Sequence, residues 1–323
     1  MLWISQAQRW RGLNLTIRMP GPIKEFLHIP AHYLCNLENA SLDFINWESE
    51  DIQCIWDAVH TSPNLREIHW NSPSVKRPPL TVLHHVTSLS VWRFSLEELA
   101  TLSSLTQLVN LEVTSFKDSL DKMMIKLPAL ESLSVRFLKK DSTWLFDQIT
   151  TPNLRHLRVG QCVEIIDVSA LHRFLKRNKC SLQRLHLHMS QSPEASVLQY
   201  VQIAASLLTN LKSFTLEFWE ITEMTVRELV PRAGDTQVFL PHLEELSLLG
   251  CRLEDGLIGR MVAARYSLGK PLGAIRVRYS GRERPHSLDG AILNRLKETG
   301  VLTRLKCDAA NNSARREFVI TAM

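Results

Sequence analysis

One phrase of apolar and polar positions recurs down the chain: leucine, two residues, an aliphatic, one polar residue, an aliphatic. It reads NLREIHW at 64, LVNLEV at 108, LPALESLSV at 127, PNLRHLRV at 152, SLQRLHL at 181, LTNLKSFTL at 208, LPHLEELSL at 240 and PLGAIRV at 271. Weaker copies are RGLNLTI at 11, ASLDFI at 40, TSLSV at 87 and LTRLKC at 302. The first residue of each aliphatic pair falls at 13, 42, 68, 89, 111, 133, 157, 185, 214, 246, 275 and 305, at intervals of 21 to 32 residues. Each phrase ends in an apolar-polar-apolar alternation, the mark of a short strand with one face inward.

The intervals hold helix-like segments. Ser95 with Glu98 forms a capping box before LEELATL, Ser192-Pro193-Glu194 opens VLQYVQIAASLL, and Ser287 precedes LDGAILNRLKETG, which stops at Gly300. Prolines 63, 128, 152, 241 and 271 stand just before strand phrases, where a helix cannot continue. Strand, loop, helix, strand at this period predicts an α/β leucine-rich-repeat solenoid, a horseshoe with a parallel sheet on its concave face and helices on its convex face. The reading is one repeat domain over 1–308, about twelve strand units, followed by a tail or cap over 309–323.

Three residues beyond each aliphatic pair, such repeats bury a residue that supports the loop. That position holds Cys162 and Cys251, and elsewhere Trp47, Phe94, Phe116, Leu138 and Trp219. An apolar ladder is predicted, with both cysteines acting as small buried hydrophobes.

Strand phase sends the polar residues within and after each pair to the concave side. Trp92, Arg136, Arg158, Arg184, His186, His188, Arg276 and Arg278 are thereby predicted to line a binding surface, interrupted by Glu217 and Glu245. Tryptophan and arginine are the residue types that dominate protein interfaces.

The 323 residues include 38 Lys and Arg against 33 Asp and Glu, a net charge of +5 too small to indicate nucleic acid by itself. The charges come in blocks, however. Residues 136–184 hold ten basic against four acidic side chains and 258–286 seven against one. These blocks support a second reading, a solenoid that binds nucleic acid, although no aromatic and glycine signature of an RNA-binding domain accompanies them. Residues 38–57 and 217–255 are acidic.

No apolar run is long enough for a membrane helix, and no secretory signal opens the chain. The six cysteines are at least 18 residues apart, which fits reduced thiols in the cytoplasm or nucleus. GxSxG, GxxxxGK[ST], GxGxxG, HExxH and EF-hand loops are all missing, so no enzyme and no cofactor are expected. The sharpest metal candidates are His186 and His188 on one strand with His156 on the strand before. No carboxylate or thiolate in phase is seen to complete a site, so the histidines read as structural or partner-contacting. His84 and His85 are adjacent and expected to diverge.

The opening QRWRGLNLTI, the NL and PxLExLxL phrases and the interleaved tryptophans resemble the leucine-rich-repeat half of basidiomycete fungal F-box proteins. That resemblance implies a substrate receptor for ubiquitination. In the family an F-box precedes the RWR strand and docks the small adaptor of a cullin-RING ligase. Nine residues stand before Trp10, so the chain as given is not expected to bind that adaptor. The leading expectation is a non-catalytic, monomeric recognition module that holds a protein partner on its concave face, with no membrane contact.

Overall fold

The computed structural model describes residues 4–17, 29–44, 49–71, 83–94, 101–116, 124–137, 143–161, 167–190, 194–231, 239–280, 286–300, 302, 304–309 and 317–321. They divide into two compact units, Met1–Leu154 and Arg155–Met323.

In the first unit, β1 (Gly12–Ile17), β2 (Asn39–Phe44), β3 (Glu67–Asn71), β4 (Ser88–Phe94), β5 (Asn110–Phe116) and β7 (Ser132–Phe137) pair in parallel, each with the next. Short strands β6 (Ile125–Lys126) and β8 (Ile149–Thr150) form a second parallel pair beside α2 (Thr143–Gln148). Helix α1 (Ser49–His60) buries Ile55, Trp56, Ala58 and Val59, an i, i+1, i+3, i+4 stripe. Its Trp56 ring lies 4.4 Å from Trp70 of β3, which in turn contacts Phe44 of β2 at 5.9 Å, so aromatic packing joins helix to sheet.

The second unit runs β9 (His156–Gln161), α3 (Val168–Asn178), β10 (Arg184–Met189), α4 (Glu194–Leu207), β11 (Ser213–Ile221), α5 (Glu223–Leu229), β12 (Glu245–Cys251), α6 (Leu257–Ser267), β13 (Ala274–Tyr279), α7 (Ser287–Glu298), β14 (Arg304–Ala309) and β15 (Glu317–Thr321). Strands β9 to β14 are parallel and in sequence order; β15 returns antiparallel on β14 and covers the sheet edge. Helices α3 to α7 pack each against the next. One strand per repeat, in-register parallel pairing and helical returns make this a leucine-rich-repeat solenoid, as the phrase spacing predicts.

Two periodic devices lock the repeats. The carbonyl just before one strand accepts two N–H groups from the next repeat: Arg66 O takes Thr87 and Ser88, Gln183 O takes Lys212 and Ser213, and Glu244 O takes Gly273 and Ala274. The asparagine of the NL phrase also reaches back a repeat. Asn64 donates to Cys35 O at 2.9 Å, Asn153 to Pro128 O at 2.7 Å and Asn210 to Ser181 Oγ at 3.1 Å. The asparagine is thus a bracket that satisfies loop oxygens.

Register corrects the second phrase. Ala40, not Leu42, lies in line with Leu13 and Ile68, while Leu42 lines up with Leu15 and Trp70. The adjoining intervals become 27 and 28 residues. The LDF alternation hid this slip, because it keeps the same phase two residues on.

The apolar ladder holds at Phe94 and Cys251, both buried, and the Cys251 thiol approaches Leu248 O at 3.5 Å. Cys162, Trp47 and Leu138 lie outside the described residues, as does the Ser95–Glu98 capping box. Trp219 departs from the expectation: it is 76% exposed. The cause is a bulge. Glu217 pairs with Leu249 but Ile221 pairs with Cys251, so β11 holds two extra residues and Ile221 takes the ladder place. Gly250 makes room for the bulge at φ 101°, and a Cβ there would stand 1.9 Å from Phe218 O. Gly250→Ala should therefore destabilise the unit by about 1 to 3 kcal/mol in a denaturant melt, through a left-handed backbone and a backbone clash.

Candidate partner-binding face

Alternate residues of β9 to β13 are buried, and the residues between them form a mostly polar, largely half-buried face in which only Gly160 and Leu249 are fully covered. Pairing places them in rows. One row is Arg158, His186, Thr215, Ser247 and Arg276; the next is Gly160, His188, Glu217, Leu249 and Arg278. Arg184 stands at the start of β10, exposed, opposite His156 and Ser213. All six second-unit residues expected to line a surface are thus on one face of one sheet. Trp92 and Arg136 belong to the first unit, where Trp92 of β4 is 38% exposed and Arg136 of β7 is exposed.

Glu217 is the hub of the second-unit face and not an interruption in it. Its Oε2 lies 3.0 Å from His188 Nδ1 and 3.4 Å from His186 Nε2, while Oε1 accepts a 3.2 Å hydrogen bond from the Arg278 guanidinium. Arg278 reaches this oxygen across β12, over buried Leu249. Burial works to raise the Glu217 carboxyl, but His188 and Arg278 outweigh it and hold the group below the usual glutamate range. His186 is held below the usual histidine range, first by burial and then by the Arg158 charge, against the pull of Glu217.

A carboxylate is therefore in phase with the two histidines after all. Sequence reading put Glu217 on this face only as an interruption, because pairing across strands, not spacing along the chain, makes it the histidines' partner. Arg158 and Arg278 surround this cluster with positive charge, which disfavours a divalent ion there. The expected divergence of His84 and His85 is also corrected: they lie in a turn, and their rings meet edge-on at 5.2 Å.

The cationic block 258–286 is less open than its sequence suggests. Arg265 is buried and donates to Phe239 O at 2.8 Å and Leu240 O at 2.9 Å, and burial lowers its pKa to about 10. Arg260 pairs with Glu254 and Arg278 with Glu217, whereas Arg282 and Arg284 lie outside the described residues.

Among the described residues, Asp255, His286 and Asp289 come nearest to a metal-ligand set, with one ligand atom each inside 4.8 Å of the others. Their carboxylates are already engaged. Asp255 accepts from Leu288 N at 3.0 Å and Asp289 N at 2.9 Å; Asp289 accepts from Gly259 N at 2.6 Å and from the Tyr279 hydroxyl at 2.9 Å. Each aspartate so caps the other repeat's helix, and two helix N-termini disfavour a cation at that point. His286 stacks on Tyr279 at 3.6 Å. Ser287, expected to cap α7, lies inside the helix, and Asp255 supplies the cap from the preceding repeat.

Slight burial favours the neutral Asp255 carboxyl, but the two N–H groups, His286 and Ser287 prevail and lower its pKa. Asp255→Ala should cost about 0.5 to 2 kcal/mol at neutral pH. A depressed carboxyl stabilises above its unfolded pKa, and that stabilisation fades as pH falls through the folded one. The deficit against wild type should therefore shrink in acid, as urea melts at several pH values would measure.

Cys35, Cys54, Cys180 and Cys251 are free, and no described helix is long and apolar enough to cross a membrane. No protein-family model matches the chain, and no curated protein does. Among solved structures, a crystal structure of an internalin from Listeria monocytogenes is similar over 87% of this chain and 89% of its own, at 15% identity and a TM-score of 0.33.

Proposed function

We propose that the chain is a non-catalytic protein-recognition module and that the open face of β9 to β13 receives an acidic segment of a protein partner. The observation behind this reading is the arrangement of Arg158, Arg184 and Arg276 around the Thr215 and Ser247 hydroxyls, on strands whose register fixes their places. Arginine's planar fork suits carboxylates, and Glu217 already shows the pairing within the chain through Arg278. Surfaces of repeat arrays are commonly used for binding, and rigid strands hold the donors in place before the partner arrives. The first unit, taken by itself, presents exposed Trp92 as an apolar anchor and Arg136 as a cation for a protein partner.

The resemblance to fungal F-box proteins extends the proposal: the captured protein would be a substrate for ubiquitination, held in the cytoplasm or nucleus. Affinity capture with mass spectrometry would identify the partner, and cross-linking of the purified complex would map it. Cross-links at Arg158, Arg184 and Arg276 on the strand face are expected. Cross-links confined to the exposed sides of α3 to α7 would place the site on the helices instead.

A further inference from the structure

Two imidazoles share one carboxylate on this face. His186 Nε2 is shielded from water and lies 3.4 Å from Glu217 Oε2, without a well-directed hydrogen bond among the described residues; His188 Nδ1 stands 3.0 Å from the same oxygen. The other oxygen of Glu217 is taken by Arg278. With both rings neutral, the charges of Glu217 and Arg278 cancel. A proton on either ring then adds a positive charge that no remaining anion of the cluster balances.

Among the described side chains of β9 to β13, the charged and titratable groups on this face are Arg158 and His156 on β9, Arg184, His186 and His188 on β10, Glu217 on β11, Glu245 on β12, and Arg276 and Arg278 on β13. After burial, Arg158 is the main neighbour that opposes a cation at His186, with His188 a smaller one. An incoming carboxylate that pairs with Arg158 removes that opposition and attracts the proton.

We propose that an acidic segment binds this face together with a proton taken up at His186, within its cluster with His188 and Glu217, so that capture strengthens as pH falls from about 8 to about 6. The inference rests on the recognition reading above and adds its regulation. The sign follows from linkage. A bound anion favours imidazolium, which places the His186 pKa higher in the complex than in the free protein. The added affinity is fully present below the free value and is lost as pH rises through the bound one.

Fluorescence anisotropy with a labelled oligo-glutamate peptide tests this on the full chain at fixed ionic strength, because that probe stays ionised across the range. Binding about three- to tenfold tighter at about pH 6 than at about pH 8 is expected, since one proton gives at most tenfold per pH unit. In H186Q/H188Q the pH slope should vanish, whatever the affinity at the alkaline end. Equal wild-type affinity at both pH values overturns the proton uptake and leaves the recognition reading standing. A slope that survives in H186Q/H188Q overturns it as well. Failure of the peptide to bind at any pH removes both readings. Should H186Q/H188Q not fold, NMR titration of the wild-type imidazoles decides: their midpoints must rise when peptide is added, and unmoved midpoints overturn the proposal.

Discussion

Leu185→Ala lowers the stability of the Arg155–Met323 unit by about 2 to 5 kcal/mol, through lost burial and the cavity left behind. Leu185 is 2% exposed on β10, in line with Leu157 of β9 and Phe214 of β11, and each of these is buried too. In a solenoid each repeat is held only by its neighbours, so a cavity at this place weakens two repeat interfaces at once. His186 provides the internal control. It is one residue further on and faces the open side of the sheet, so His186→Ala should cost much less. A denaturant melt in which Leu185→Ala loses under about 1 kcal/mol would show that this row is not packed core. Leu133 of β7, buried in line with Leu111, is expected to behave in the same way in the first unit.

The repeat was legible because its signal is redundant. Eleven of the twelve expected phrase positions fall on the register line of their strands, and only Leu42 had to yield to Ala40. Trp219 was misplaced for a different reason. A ladder position is counted forward from the aliphatic pair, and the bulge in β11 inserts residues that no phrase announces. Gly250, whose backbone makes that bulge possible, reads in sequence as an ordinary loop glycine.

The site was legible as rows of residues on one face and illegible as pairs between strands. Phase along β10 puts His186 and His188 on one face, and phase along β13 does the same for Arg276 and Arg278. Glu217 as their common partner appears only once β10, β11 and β13 lie side by side, 61 residues separating Glu217 from Arg278. The reciprocal caps of Asp255 and Asp289 were hidden likewise, since a capping box is sought within one helix and here spans two repeats. Arg265 counted among the cations of the 258–286 block because nothing in its neighbourhood names the carbonyls of Phe239 and Leu240 that receive it.

The second large effect concerns binding. Arg158 and Arg276 stand at opposite ends of one row, roughly 19 Å apart at the usual strand spacing, with His186, Thr215 and Ser247 between them. A bound acidic segment would meet one guanidinium at each end. Removing both should lose about 1 to 3 kcal/mol or more, roughly five- to 150-fold in Kd, since paired arginines at an interface are among its strongest contributors. Both side chains leave the buried face untouched, so the fold should remain. The most direct measurement is the affinity of the captured partner for wild type, for Arg158→Ala with Arg276→Ala, and for Arg173→Ala with Lys176→Ala on the exposed side of α3. A large loss in the first pair with little change in the second is the expected result; wild-type affinity in the first pair with loss in the second would contradict the assignment of the site to the strand face.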